Sequence, residues 1–191
     1  KKIISGNMLI DYDGESREFL QSSSSLLITF FLALCFIYLV LSAQFESFVS
    51  PFVIMLTVPL SMTGALLALF LSGGTLNIYS QVGLITLIGL ITKHGILIVE
   101  FANQIREKGK SIEEAVLESS VMRLRPILMT TGAMVLGAAP LAFATGAGAE
   151  SRHQIGWVII GGMTIGTFFT LFVIPVAYTI MANITKPKEH Q

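Results

Sequence analysis

Five long apolar stretches separated by short polar ones organise this chain. They cover about 26–44, 51–71, 78–102, 126–144 and 155–184. Each approaches or exceeds the roughly 20 residues that carry a helix across the hydrocarbon core of a bilayer. The first and second carry no charge, whereas the third contains Lys93, His94 and Glu100. Pro51 stands at the start of the second stretch, and Pro126 stands where the fourth begins, at a position whose missing N–H does no harm. Pro59 and Pro175 lie inside their stretches. The pattern predicts an all-α membrane protein with five transmembrane helices.

The polar stretches between them are short, except for 103–125. There Ser111 and Glu114 have capping-box spacing. Ile112, Ala115, Val116, Ser119 and Leu124 follow at roughly helical intervals, which predicts an amphipathic helix over about 111–124 lying on the membrane surface. Residues 1–23 are polar and mixed. Met8-Leu9-Ile10 with Tyr12 has the character of a short strand end, Asp13-Gly14 that of a turn, and Ser22 to Ser25 that of a linker or a helix entry. The chain opens at Lys1 with no initiator methionine, so it reads as a piece of something longer. The bundle is expected over 24–184, with a tail over 185–191.

Composition agrees with the pattern. Hydrophobic residues make up 53%, charged residues only 13%, and the mean hydropathy is +0.75. A soluble domain carries about 25% charged residues. Twelve basic residues balance twelve acidic ones, so nothing favours nucleic acid. The one cysteine, Cys35, excludes a disulfide framework, and His94, His153 and His190 have no metal-ligand spacing. Orientation follows from lysine and arginine placement. Arg106, Lys108, Lys110, Arg123, Arg125, Lys186 and Lys188 fall on one side, against Lys1, Lys2, Arg17 and Arg152 on the other. The richer side is assigned to the cytoplasm. The N-terminal segment is then periplasmic, and 111–124 and the C-terminal tail are cytoplasmic.

Lys93 is the residue that demands an account. A lysine at the bilayer centre costs about 2.5–3.5 kcal/mol on insertion scales, and such residues usually face a bundle interior with a partner. Lys93 lies fifteen residues from the start of its stretch and nine from its end, too deep to snorkel out. Glu100 is the one acid in the spans, seven residues on and about 10 Å further along the axis. The counter-ion is therefore expected on a helix outside this chain.

Arg123 and Thr130 are also seven apart and share a helix face. Taken alone, Arg123 and Arg125 read as interfacial anchors, and Thr130 and Thr131 as hydroxyls bonded to their own helix backbone. His94 reads first as a helix-packing hydrogen-bond partner, with titration near neutral pH as the alternative. Gly162 and Gly166 form G-x-x-x-G, and Gly132 and Gly137 stand in the fourth stretch. These four are assigned to close helix packing. Trp157 reads as an interfacial anchor.

Several strings carry a resemblance. Met122 to Thr130 reads MRLRPILMT, Lys93 to Ala102 reads KHGILIVEFA, and Gln44 to Phe48 reads QFESF. Val58-Pro59-Leu60, ATGAG from Ala144 to Gly148, Gly161-Gly162-Met163 and Val173-Ile174-Pro175-Val176 complete the set. In this order they resemble the last five transmembrane helices, eight to twelve of twelve, of resistance–nodulation–cell-division (RND) multidrug efflux pumps of the hydrophobe/amphiphile branch. The resemblance implies a proton antiporter of the bacterial inner membrane, a homotrimer working with a periplasmic adaptor and an outer-membrane channel. The proton is its coupling ion and no cofactor is implied. Tyr12-Asp13 matches a Tyr-Asp of the family at the end of its second periplasmic region.

By the same resemblance Lys93, Arg123 and Thr130 match a proton relay whose two aspartates belong to a helix this chain lacks. The family usually has Asn after the lysine and this chain has His94, which leaves open whether His94 tunes the relay or only packs. The piece alone is not expected to transport. A second class of function is a non-transporting membrane module, structural or sensory, or an intramembrane enzyme using His94 and Glu100.

Overall fold

The structure is a computed structural model that describes the backbone of residues 15–185 and the side chains of 28–182. Six helices follow one another: α1 (Glu15–Phe45), α2 (Val49–Met55), α3 (Thr57–Leu71), α4 (Ile78–Glu107), α5 (Ile112–Ala142) and α6 (Ala149–Thr185). With α2 and α3 taken as one interrupted span, five segments are long and apolar enough to cross a membrane. The strand and turn expected over Met8 to Gly14 lie outside the described residues.

Proline explains where the helices break and where they do not. Pro59 has no N–H for the carbonyl of Met55, and α2 ends at Met55. Pro59 itself falls in the first turn of α3, where no N–H is needed. The Thr57 hydroxyl donates to the Ile54 carbonyl at 2.7 Å and so satisfies one acceptor at the break.

The sequence reading is corrected at Pro126. It was expected to open a span, with a separate surface helix before it. Instead α5 runs unbroken from Ile112 to Ala142 with Pro126 in its interior. A proline inside an apolar helix is tolerated where other groups satisfy the freed backbone. A proline also looks alike in sequence at a first turn and at a mid-helix position, so the boundary was misread. Of the two readings of Ser22 to Ser25, linker or helix entry, the structure favours the helical one. These serines lie within α1, which starts at Glu15. Glu15, Arg17, Glu18, Leu20 and Gln21 are good helix formers and extend the apolar segment backwards.

Helix α6 is the axis of the bundle and packs along α3, α4 and α5. It runs parallel to α4: Gly83 lies against Val158, Leu87 against Gly162 and Ile91 against Gly166. It runs antiparallel to α3, since Gly161 lies against Ala68 and Gly166 against Ser61. Two apolar clusters fill the interior. One joins Ala65, Leu69, Leu84, Leu87, Val158 and Met163. The other, toward the opposite end of the bundle, joins Ile54, Ile98, Val99, Val116, Ile127 and Ile174.

The turn between α4 and α5 reverses the chain tightly. Gly109 adopts φ +88° there, a conformation open to glycine and strained for residues with a Cβ. Ser111 then caps α5, with the reciprocal Ser111–Glu114 pair in place.

Candidate functional site

Lys93 and His94 are neighbours on α4 with opposite surroundings. Lys93 is exposed and His94 is fully buried. Residues one apart on a helix point about 100° from each other, so the two mark different faces. The open face of α4 carries Val82, Thr86, Gly89, Lys93, Glu100 and Gln104, all exposed at helical spacing. Among the described residues the ion pair found is Lys110 with Glu118, well away from Lys93. No described carboxylate pairs with Lys93.

Helix α5 lies beside this part of α4 and runs against it. The Arg123 guanidinium stacks over the Phe101 ring, 4.5 Å from its centroid. Such cation–π contact is worth about 0.5–2 kcal/mol depending on desolvation. Arg123 Nε is buried with no hydrogen-bond partner among the described residues. Seven residues back along α4 is His94, and eight forward along α5 is Thr131. The two are joined through Thr167 of α6. Thr131 Oγ1 lies 3.1 Å from Thr167 Oγ1, and Thr167 Oγ1 lies 3.3 Å from His94 Nδ1. The stretch 123–131 therefore runs antiparallel to 94–101 and in register with it.

Thr130 is half-buried, and its hydroxyl sits 3.0 Å from the carbonyl oxygens of both Pro126 and Ile127. It binds its own backbone, as a threonine in an apolar helix ordinarily does. The arrangement thus gathers a free ammonium, a guanidinium and a hydroxyl on two adjacent helices. Among the described residues Glu100 is the acid on the same open face of α4 as Lys93. His94 and Glu100 are not brought together, since one is buried and the other exposed on a different face.

The glycines divide. A Cβ on Gly162 would overlap the Leu87 side chain, and one on Gly166 would stand 2.7 Å from Ser61 Cβ. Gly132 and Gly137 have nothing within 4 Å of such a Cβ, so among the described residues neither is a point of close approach. Sequence reasoning passed over Gly64, whose Cβ would stand 2.6 Å from Ile165 Cβ. It also passed over Thr167, whose signal was present: a hydroxyl in an apolar helix one residue after a packing glycine, where interhelical hydrogen bonds are common.

A further polar cluster ties α4 to α6 near their C-terminal ends. Arg106 Nη1 donates to the Tyr178 hydroxyl at 2.9 Å, and that hydroxyl donates to Asn103 Oδ1. Among the described residues no group of histidine, cysteine, aspartate and glutamate could hold a metal ion.

The model of the AcrB/AcrD/AcrF family matches residues 1–182. The chain belongs to this family. Its relatives in the AcrB/AcrD/AcrF family include RND efflux pump membrane transporters, in line with the motifs at Lys93 and Arg123. An uncharacterised transporter of Haemophilus influenzae is 54% identical over 184 residues, which is 93% of this chain and 18% of the relative. The toluene efflux pump membrane transporter TtgB of Pseudomonas putida is 43% identical, covering 93% of this chain and 17% of the relative. Multidrug resistance protein MdtF of Escherichia coli is 44% identical, covering 80% and 15%. The chain spans less than a fifth of the length of these relatives.

Proposed function

We propose that this chain is the C-terminal transmembrane part of a proton-driven efflux transporter of the bacterial inner membrane that exports drugs or other hydrophobic and amphiphilic compounds. Lys93, Arg123 and Thr130 supply the basic and hydroxyl side of its proton relay. The observation that carries this reading is Lys93 itself, a cation on the open face of α4 without a carboxylate partner among the described residues. An uncompensated lysine in hydrocarbon is costly, so the full-length protein must bring an acid to that face.

The electrostatics then run in a simple order. Deprotonated, the incoming carboxylate pairs with Lys93. Protonation from the periplasmic side removes its charge and weakens the pair. Lys93 is released to reorient toward α5, where Thr130 offers a hydroxyl. One charge crossing 100 mV contributes about 2.3 kcal/mol to such a cycle. In this reading the N-terminal segment is periplasmic and the tail cytoplasmic. The working unit is a homotrimer with a periplasmic adaptor and an outer-membrane channel. The names of TtgB and MdtF point to toluene and to multiple drugs for those proteins, and here they support a cargo of that broad class.

The test is proton-coupled dye efflux by the full-length protein. Lys93→Ala and Arg123→Ala are each expected to abolish efflux while expression and trimer remain. Normal efflux in Lys93→Ala would overturn the reading. The 191 residues alone, placed in liposomes, are expected to move no dye.

A further inference from the structure

His94 sits behind Lys93, and its contacts have a mechanical consequence. Its side chain is completely buried, Thr167 is 2% exposed and Thr131 is 8% exposed. The chain His94 Nδ1, Thr167 Oγ1, Thr131 Oγ1 spans three helices, α4, α6 and α5, with separations of 3.3 and 3.1 Å. Two proton arrangements satisfy it. Either Thr131 donates to Thr167 and Thr167 to Nδ1, or Nδ1 donates to Thr167 and Thr167 to Thr131. They differ only in two hydroxyl rotations and the imidazole tautomer. The glycine contacts on either side hold the seam close. Ile91 rests on Gly166, and Ile54 and Ile174 rest on Gly95.

Lys93 and His94 are consecutive on one rigid helix, so the direction of one fixes the direction of the other. Any rotation of α4 that swings Lys93 toward α5 must draw His94 off Thr167. Thr131, at the far end of the chain, is likewise consecutive with Thr130. The relay lysine and the relay threonine are therefore each one residue from an end of the same buried hydrogen-bond chain.

We propose that His94, Thr167 and Thr131 form a latch that sets the rotational register of α4 against α5, with His94 a positioning residue for Lys93. This rests on the relay reading given above. A register latch acts on the moving step, so its loss lowers turnover and leaves dye recognition unchanged. Interhelical hydrogen bonds in membranes are individually modest, and the expected loss is about threefold to tenfold in turnover.

Geometry offers a conservative rescue. In asparagine the amide oxygen or nitrogen is attached to Cγ, as Nδ1 is in histidine, so His94→Asn keeps an atom that can bond Thr167. His94→Leu fills similar space without one. The experiment measures dye efflux kinetics in the full-length transporter for His94→Asn, His94→Leu, Thr131→Val and Lys93→Ala, with ethidium as the probe. The latch predicts that His94→Leu and Thr131→Val each lose turnover at unchanged KM, that their double variant loses little more than either alone, and that His94→Asn stays within twofold of the unaltered protein.

Equal losses in His94→Asn and His94→Leu would overturn it, as would a change confined to KM. Should His94→Leu fail to assemble, Thr131→Val decides. It is nearly isosteric, and unaltered turnover there would overturn the latch. Lys93→Ala separates the two readings. If it transports, the relay reading falls. If it is inactive while His94→Leu and Thr131→Val run at full turnover, only the latch falls.

Discussion

Gly162 and Gly166 on α6 and Gly132 and Gly137 on α5 are the same residue in the same kind of apolar helix, yet their surroundings are opposite. The α6 pair lies in seams, Gly162 under Leu87 and Gly166 against Ser61. The α5 pair meets nothing within 4 Å among the described residues. The difference extends to the helices. Around α6 the contacts are filled by α3, α4 and α5, and Val158, Met163 and Ile174 on it are fully buried. Helix α5 leaves Leu117, Val121, Met122, Leu128, Met129 and Leu136 exposed. A small residue in an apolar helix therefore marks a close approach only when something stands opposite. Here α6 finds its partners within these residues, whereas α5 and the Lys93 face of α4 remain open. In a chain spanning less than a fifth of its relatives' length, the open faces are the ones that carry the proposed relay.

The sharpest way to break this comparison is to enlarge a glycine on the closed side. Gly162→Leu would drive a new side chain into Leu87, which is itself fully buried and has nowhere to go. Overpacking a filled site commonly costs about 1–3 kcal/mol and sometimes more. The parallel seam with α4 would have to open along its length. The expected result is a large loss of folded protein in the membrane, read as abundance and as thermal unfolding in detergent. Normal abundance with an unchanged melting temperature would mean that the α4–α6 seam is not close-packed.

A smaller effect is expected where α6 holds α4 by hydrogen bonds instead of shape. Tyr178→Phe removes the hydroxyl that accepts from Arg106 and donates to Asn103. Each such bond contributes about 0.5–1.5 kcal/mol net. Tyr178 is buried, but its partners Arg106 and Asn103 are half-buried, so water reaches the orphaned groups and limits the penalty. A modest fall in melting temperature is predicted with efflux retained. A fall as large as that of Gly162→Leu would place this cluster, not the glycine seam, at the centre of the α4–α6 contact.

Much of this was legible in the residues. The five apolar stretches are long and uniform, and length and hydropathy suffice to find such elements. The motifs around Lys93 and Arg123 gave the family before any geometry. What could not be read was relative rotation. Lys93 and His94 are adjacent letters, and only the packing of α6 decides that His94 turns inward and Lys93 outward. The same applies to Thr131 and Thr130, where one hydroxyl crosses to another helix and its neighbour binds its own backbone. Pro126 misled because proline excludes a donor without saying whether a helix starts there or runs through. The G-x-x-x-G spacing at Gly162 marked a seam, but nothing in the spelling of Gly132 separated it from Gly162. The distinction lies in a partner far away in sequence.

The smallest expected effect falls on that last pair, and it tests the open side directly. Gly132 lies inside α5, and among the described residues nothing beyond its own stretch of helix stands within 4 Å of where a Cβ would point. Replacing an interior helical glycine with alanine stabilises a helix by about 0.5–1 kcal/mol through backbone entropy when nothing obstructs the methyl group. Gly132→Ala in the 191-residue chain is therefore predicted to raise resistance to thermal unfolding slightly. In the full-length transporter the same substitution has a different meaning. If the face stays against lipid, the small gain persists. A loss there would show that another helix rests on Gly132, so that its surroundings match those of Gly162 and the contrast between α5 and α6 belongs to these residues alone. Either sign locates what covers the helix next to Lys93, because Gly132 is one residue from the Thr131 end of the buried chain and two from Thr130.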